Sequence, residues 1–98
     1  MQRYIDSYKV FIAFCDETRL RVLDILQNGE KCASSLLKQV EVSQSTLSHH
    51  MKILVDSGII TARKVGKWTY YSLCEGGRQY AIDLINRLTN PSADAIAD

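Results

Sequence analysis

The stretch Ser43-Gln44-Ser45-Thr46-Leu47-Ser48-His49-His50-Met51-Lys52-Ile53-Leu54-Val55-Asp56-Ser57-Gly58 decides how this chain is read. Ser43 is a good N-cap, because its hydroxyl can accept one of the unpaired amide protons of a first helical turn. Gly58 is a good stop, because glycine adopts the left-handed conformation that closes a helix. Between them Leu47, Met51, Leu54 and Val55 recur with helical spacing and predict a buried stripe. At about 100° per residue, Ser45, Ser48, His49 and Lys52 fall together on an adjacent arc. A merely solvated face mixes both charge signs, whereas this arc holds hydrogen-bonding groups and one cation without an acid. Such a face suits the major groove of DNA, where base edges offer donors and acceptors between flanking phosphates. Gln44 and Thr46 belong with it, since the first turn of a recognition helix points into the groove. His50 falls nearer the apolar side and reads as a packing or capping partner rather than a base reader.

The residues upstream predict three more helices. Tyr4, Ile5, Tyr8, Phe11 and Ile12 share one face of the first, and Val10, Ala13 and Phe14 extend its apolarity. Asp16 is placed to cap a second, with Glu17 in its first turn. Leu20, Val22, Leu23, Ile25 and Leu26 cover most of that helix, which places it mid-domain, and Asn28-Gly29 ends it. Residues 30–32 read as a connector, after which Ser34 or Ser35 can cap a short third helix carrying Leu36, Leu37 and Val40. A tight turn at Glu41-Val42 then leads into the helix of the opening stretch, which completes a helix-turn-helix.

Beyond Gly58 the pattern changes. Residues 59–65 and 67–73 are rich in β-branched and aromatic side chains around Gly66, so they predict a hairpin. Gly76-Gly77 reads as a further break. Tyr80, Ala81, Leu84, Ile85 and Leu88 define a last amphipathic helix that Pro91 terminates. The predicted class is mainly α with a β-hairpin wing: a winged helix-turn-helix of four helices, hairpin and fifth helix. One domain spans residues 1–91, and residues 92–98 form a frayed tail. The first and last helices are more apolar than one small core requires, which predicts a homodimer through both. Two recognition helices would then lie about 34 Å apart and face a palindromic site in double-stranded DNA.

Composition agrees with one ordinary globular domain of 98 residues. A net charge of +1 excludes a chain that binds nucleic acid over its whole surface. Between Ser43 and Ser72, however, the cations Lys52, Arg63, Lys64 and Lys67 face a single acid, Asp56. The basic character is local, as a docking face requires. The bland reading of Arg63, Lys64 and Lys67 is protection of a strand edge by charge; contact with phosphates or the minor groove is preferred. For Trp68, Tyr70 and Tyr71, packing within the hairpin is preferred. No apolar run reaches the ~18 residues of a membrane span, and no secretory leader is visible, so a cytoplasmic protein is expected. Neither a glycine-rich phosphate loop nor a spaced nucleophile–base pair is present, and no enzyme is expected.

Several strings resemble the ArsR/SmtB family of dimeric bacterial winged-helix repressors. They are Asp16-Glu17-Thr18-Arg19-Leu20-Arg21-Val22-Leu23, then Ser43 through Leu54, then Gly66-Lys67-Trp68-Thr69-Tyr70-Tyr71-Ser72-Leu73, and the likeness runs from about Tyr8 to Leu88. The resemblance implies repression of an operator that is relieved by a metal, a metalloid or a thiol modification. Arsenic repressors of the family carry two thiols one residue apart at the start of the helix-turn-helix. Here that segment is Glu30-Lys31-Cys32-Ala33-Ser34, with Cys32 at the first position and a serine at the second. The zinc sensors use Asp, His and Glu on the last helix, which here lacks histidine, so no such zinc site is expected.

The three cysteines, Cys15, Cys32 and Cys74, are too few and too scattered for a disulfide framework or a zinc finger. The bland reading of each is a small buried hydrophobe, and this is preferred for Cys74. Cys32 is the first candidate for a sensor thiol and Cys15 the second. A straight helix of ~12 residues between them spans ~18 Å, so any ion they share would have to bridge the dimer. The resemblance suggests As(III) or Sb(III) as inducer, with no resident cofactor. Rival readings are a thiol-redox sensor, a cadmium or lead sensor, a repressor without an inducer, and a protein-interaction module on the same scaffold.

Overall fold

The computed structural model describes residues 3–91. Eight elements follow in order: α1 (Arg3–Ala13), α2 (Glu17–Leu26), β1 (Lys31–Cys32), α3 (Ala33–Gln39), α4 (Gln44–Asp56), β2 (Ile60–Val65), β3 (Trp68–Leu73) and α5 (Glu75–Thr89). The expected four helices, hairpin and fifth helix are all present, and the fold is a winged helix-turn-helix. The expected frayed tail at 92–98 lies outside the described residues.

The predicted caps form. Asp16 accepts the Arg19 amide at 3.1 Å and starts α2. Ser43 accepts the Thr46 amide at 3.2 Å and starts α4. Gly58, at φ 84°, lets the chain leave α4 and enter the hairpin. The hairpin closes through the two-residue loop Gly66-Lys67, between the paired residues Val65 and Trp68. Gly66 takes φ 61° while Lys67 stays at negative φ, the pattern of a type II′ turn, whose twist matches the strands it joins.

Three local expectations are corrected. The connector at 30–32 contains a strand: Lys31 and Cys32 pair with Tyr71 and Tyr70, giving a three-stranded antiparallel sheet of order β1-β3-β2. Two residues are too short for a periodic signal, and only the free edge of β3 makes them a strand. Neither Ser34 nor Ser35 caps α3. The cap position is Cys32, whose side chain makes no capping bond, because pairing with β3 fixes the extended backbone one residue before Ala33. Gly76 and Gly77 do not break the chain but form part of the first turn of α5. Gly77 has a packing cause, since a Cβ there would overlap the carbonyl of Gly58. The start of α5 lies directly on the turn that ends α4.

Every helix contributes to one core: Val10 and Ala13, Val22, Leu23 and Leu26, Leu36, Leu47, Met51 and Leu54, Ala81 and Leu84, joined by Ile59 and Ile60. The buried stripe of α4 is the expected one, with Val55 half-buried at its margin. The apolar surface of the first helix exceeds what the core takes up. The helix buries Ser7, Val10 and Ala13, and leaves Tyr8, Phe11 and Ile12 exposed. The Tyr4 and Ile5 side chains lie outside the described residues. The Ser7 hydroxyl meets the Tyr80 hydroxyl at 3.0 Å and ties α1 to α5.

The two glycines are expected to respond with opposite signs in thermal or urea unfolding. Gly77→Ala should lose about 1–3 kcal/mol, because the overlap is with backbone that cannot rotate away. Gly76→Ala should gain about 0.5–1 kcal/mol, since the nearest atom is 4.0 Å away and alanine favours the helix. Equal responses would refute the close approach of α5 to Gly58.

Candidate nucleic-acid interface

The α3–α4 pair presents the predicted arc to solvent. Gln44, Ser45, Thr46, Ser48, His49 and Lys52 are all exposed, while Leu47, Met51 and Leu54 hold the opposite side of α4 in the core. The first turn is pre-ordered by its own hydroxyls. Ser43 Oγ donates to Thr46 Oγ1 at 2.9 Å and stands 3.3 Å from Ser45 Oγ. Lys52 pairs with Asp56 at 3.2 Å, one turn further along. That exposed i,i+4 pair offsets part of the positive charge at the C-terminal end, leaving the N-terminal half of the arc free of acids.

The wing stands beside this helix. A groove of about 340 Å³ separates them, lined by Gln44 and Ser48 on α4, Ser34 and Leu37 on α3, and Lys67 and Trp68 on the wing. Tyr71 is half-buried against the core, and burial raises its phenol above the usual tyrosine range. Its packing role is the expected one. Trp68 differs, being 50% exposed on the groove wall with the Lys67 ammonium 5.5 Å from its ring centroid. Lys64 projects from β2. Arg63 is engaged within the chain, because Glu30 accepts from its Nε at 3.1 Å and from a terminal nitrogen at 2.6 Å. The tally of acids between Ser43 and Ser72 could not include Glu30, which reaches the wing from outside that segment.

His50 is buried on the inner side of α4, away from the arc. Its Nδ1 lies 2.8 Å from Arg19 of α2 and 3.8 Å from the Asp16 carboxylate. Arginine only donates, so Nδ1 is the acceptor and the ring proton sits on Nε2. The same Arg19 side chain donates to the Ile12 carbonyl at 3.0 Å, at the end of α1. One side chain thus ties α1 and α2 to the back of the recognition helix. Asp16 was legible as a cap and His50 as an inward residue. No periodic signal points to Arg19, because its partners lie on α1 and α4.

The thiols occupy three separate places. Cys15 is exposed after α1, Cys32 is half-buried between β1 and α3, and Cys74 is half-buried before α5. Among the described residues, no group of three His, Cys, Asp or Glu side chains gathers as a metal site. Cys32 is the distinctive thiol. Its Sγ lies 3.1 Å from Ser34 Oγ, and that hydroxyl, then the backbone amides of Ser35, Ser34 and Cys32 itself, lower its pKa. The second thiol position of the arsenic pattern is therefore spatially adjacent to Cys32, but it carries an oxygen.

A capped recognition helix, a wing across a shared groove and an acid-poor face between them define a winged helix-turn-helix regulator of transcription. Comparison with known proteins places it further. The sequence pattern of bacterial regulatory proteins of the arsR family matches residues 16–62. An uncharacterized HTH-type transcriptional regulator of Methanocaldococcus jannaschii is 36% identical over 89 residues, which is 90% of this chain and 100% of that one. An arsenical resistance operon repressor of Staphylococcus xylosus is 46% identical, covering 82% of this chain and 84% of the relative. An ArsR-like transcriptional regulator from Rhodococcus sp. RHA1 superposes with a TM-score of 0.76 at 28% identity, over 88% of this chain and 79% of that one. The chain belongs to the arsR family of bacterial regulatory proteins, which are transcriptional regulators and not enzymes. Among the described residues, no helix is long and apolar enough to cross a membrane.

Burial lowers the pKa of His50, with Arg19 and His49 acting in the same direction and Asp16 opposing. A histidine held neutral in the folded state contributes stability that is present above its ordinary value near 6.5 and lost as pH falls from there towards the lower folded value. Urea unfolding should therefore show stability declining as pH falls below about 6.5, by at most ~1.4 kcal/mol per pH unit from this group. In His50→Gln, which keeps an acceptor for Arg19 but does not titrate, this part of the slope should disappear. An unchanged slope would place the titrating group elsewhere.

Proposed function

We propose that the protein is a homodimeric repressor that binds a palindromic operator and is released by a thiol-binding inducer, trivalent arsenic or antimony. The exposed, acid-free first half of α4, backed by its buried stripe, carries the DNA reading. In this reading Gln44, Ser45, Thr46, Ser48 and His49 meet base edges, and Lys52, Lys64 and Lys67 meet phosphates. Arg63 is already engaged by Glu30. The unburied apolar side chains of α1 and α5, among them Tyr8, Phe11, Ile82, Ile85 and Leu88, support pairing of two copies through those helices. A two-fold dimer would present both recognition helices to successive turns of one duplex.

For the inducer, the supporting observation is the thiolate-favouring environment of Cys32 on the turn that enters α3. Soft thiolates select soft ions, and the arsenical resistance repressor of Staphylococcus xylosus is a close relative in sequence. One thiol and a hydroxyl make a weaker pair than two thiols. Cys15 or another thiol of the second copy would complete the set. Release follows if the ion binds more tightly to a dimer geometry that no longer matches two major grooves.

The DNA reading is tested on a duplex selected from random sequence by the wild-type chain. Lys64→Ala and Lys67→Ala should each weaken binding to all sequences alike and reduce the salt slope by ~1. Ser48→Ala should relax base preference at one position of each half-site instead. The inducer reading is tested by titrating the bound complex with arsenite, antimonite, cadmium, zinc and peroxide. Cys32→Ser should abolish release. Ser34→Cys, which sets a second sulfur where an oxygen now lies 3.1 Å from Sγ, should lower the arsenite concentration needed. If Cys32→Ser responds to every agent as the wild type does, the thiol reading is wrong.

A further inference from the structure

The sheet order β1-β3-β2 sets Cys32, Tyr70 and Arg63 in a single row across three strands. Cys32 pairs with Tyr70, and Tyr70 pairs with Arg63. Residues directly opposite each other in an antiparallel ladder project to the same face. Ile60, three residues before Arg63, is buried in the core, so alternation along β2 turns the row to the outer face of the wing. Arg63 lies there with its guanidinium carbon 4.9 Å from the Tyr70 ring centroid. Beyond that ring it reaches Glu30, which precedes β1 on the far edge of the sheet. The pair therefore spans the full width of the sheet over Tyr70.

This span matters because β2 is an edge strand bonded only to β3. Glu30 belongs to the connection that leads into β1 and the helix-turn-helix, whereas Arg63 belongs to β2, on the opposite edge of the sheet from β1. A two-point fork fixes orientation as well as distance, which a lysine in place of Arg63 could not do. Arg63 also differs from its neighbours. Among the described residues, Lys64 and Lys67 have no carboxylate partner, while Arg63 has its fork filled and its face stacked. The mutual pairing lowers the Glu30 pKa and raises that of Arg63, as expected for two groups that each stabilise the other's charge.

We propose that Arg63 is a positioning residue: with Glu30 and Tyr70 it sets the angle of the wing against the helix-turn-helix, and it does not hold a phosphate. The inference rests on the DNA-binding reading above. It differs from a phosphate contact in the sign of one variant. If Arg63 only positions the wing, Glu30 is as necessary as Arg63. If Arg63 grips DNA, Glu30 competes with the phosphate and its removal tightens binding.

The experiment measures affinity for the selected duplex between 50 and 200 mM salt (a range over which phosphate contacts register clearly, so roughly those limits suffice). The chains compared are wild type, Arg63→Gln, Glu30→Gln, both together, and the exchanged pair Glu30→Arg with Arg63→Glu. Lys67→Ala serves as the phosphate reference, and circular dichroism checks that each chain is folded. We expect each single variant to weaken binding by about two- to fivefold with an unchanged salt slope. The double variant should be no weaker than either single one, and the exchanged pair should recover most of the loss. Tighter binding by Glu30→Gln, or a salt slope reduced by ~1 in Arg63→Gln, overturns the proposal and makes Arg63 a phosphate contact. Failure of the exchanged pair to recover overturns it too. If the wild-type chain selects no duplex at all, the DNA reading itself fails and this inference with it.

Discussion

Arg19 is the side chain on which the arrangement of this fold most depends. It is buried, and it donates in two directions, to the carbonyl of Ile12 at the end of α1 and to Nδ1 of His50 on α4. Its own amide is capped by Asp16, whose carboxylate also approaches His50. The two terminal nitrogens of Arg19 are bonded in this way while its buried Nε has no partner among the described residues, and leaving either terminal donor unmet as well would cost about 1–3 kcal/mol. The result is a fixed rotation of α4 about its own axis. That rotation decides which residues of the helix are presented outward, because 100° separates each from the next. The polar arc faces solvent because the buried stripe of α4 and the Arg19–His50 contact together hold its back.

The wing is fixed by a different means. Its two strands are joined by a tight turn at Gly66 and paired along their whole length, so the hairpin is internally stiff. Its orientation depends on what it touches at either edge. Burial of Ile59 and Ile60 anchors its base, the close approach of Gly77 to Gly58 packs the start of α5 under it, and β1 adds a third strand. The sheet therefore joins the turn that carries Cys32 to the element that carries Lys64 and Lys67. On the proposed reading, the sensor thiol and the DNA-facing strand would share this sheet, which would give a short physical route between inducer and operator. Pairing of Cys32 with Tyr70 is the first rung of that route.

The regular parts of the fold were legible because their causes are local. Ser43, Asp16, Gly58 and Gly66 act within a few residues of themselves, and each does in the structure what its chemistry predicts. The stripe Leu47, Met51 and Leu54 is a periodic signal, and periodicity survives any tertiary arrangement that buries one face. The misreadings share the opposite character. Gly76-Gly77 looked like a break because two glycines weaken a helix, but the true cause of Gly77 is the Gly58 carbonyl nineteen positions earlier in the chain. Residues 31–32 looked like a connector because their partner is β3. Which residues of α1 enter the core was not legible from periodicity, because its largest apolar groups are the ones left outside the protomer.

For the site, the sequence by itself determined which residue types are exposed on the recognition helix, that His50 turns inward, that the basic character is local, and that a serine stands two residues after Cys32. These follow from spacing and from the identity of the side chains, which folding cannot change. Only the tertiary structure decided that Arg19 locks His50, that Ser34 sits against the Cys32 thiol, and that Glu30 takes up Arg63. The physical reason is that charge and hydrogen-bond partners are set by distance in space. Glu30 and Arg63, like Arg19 and His50, are brought together only when the core between them closes.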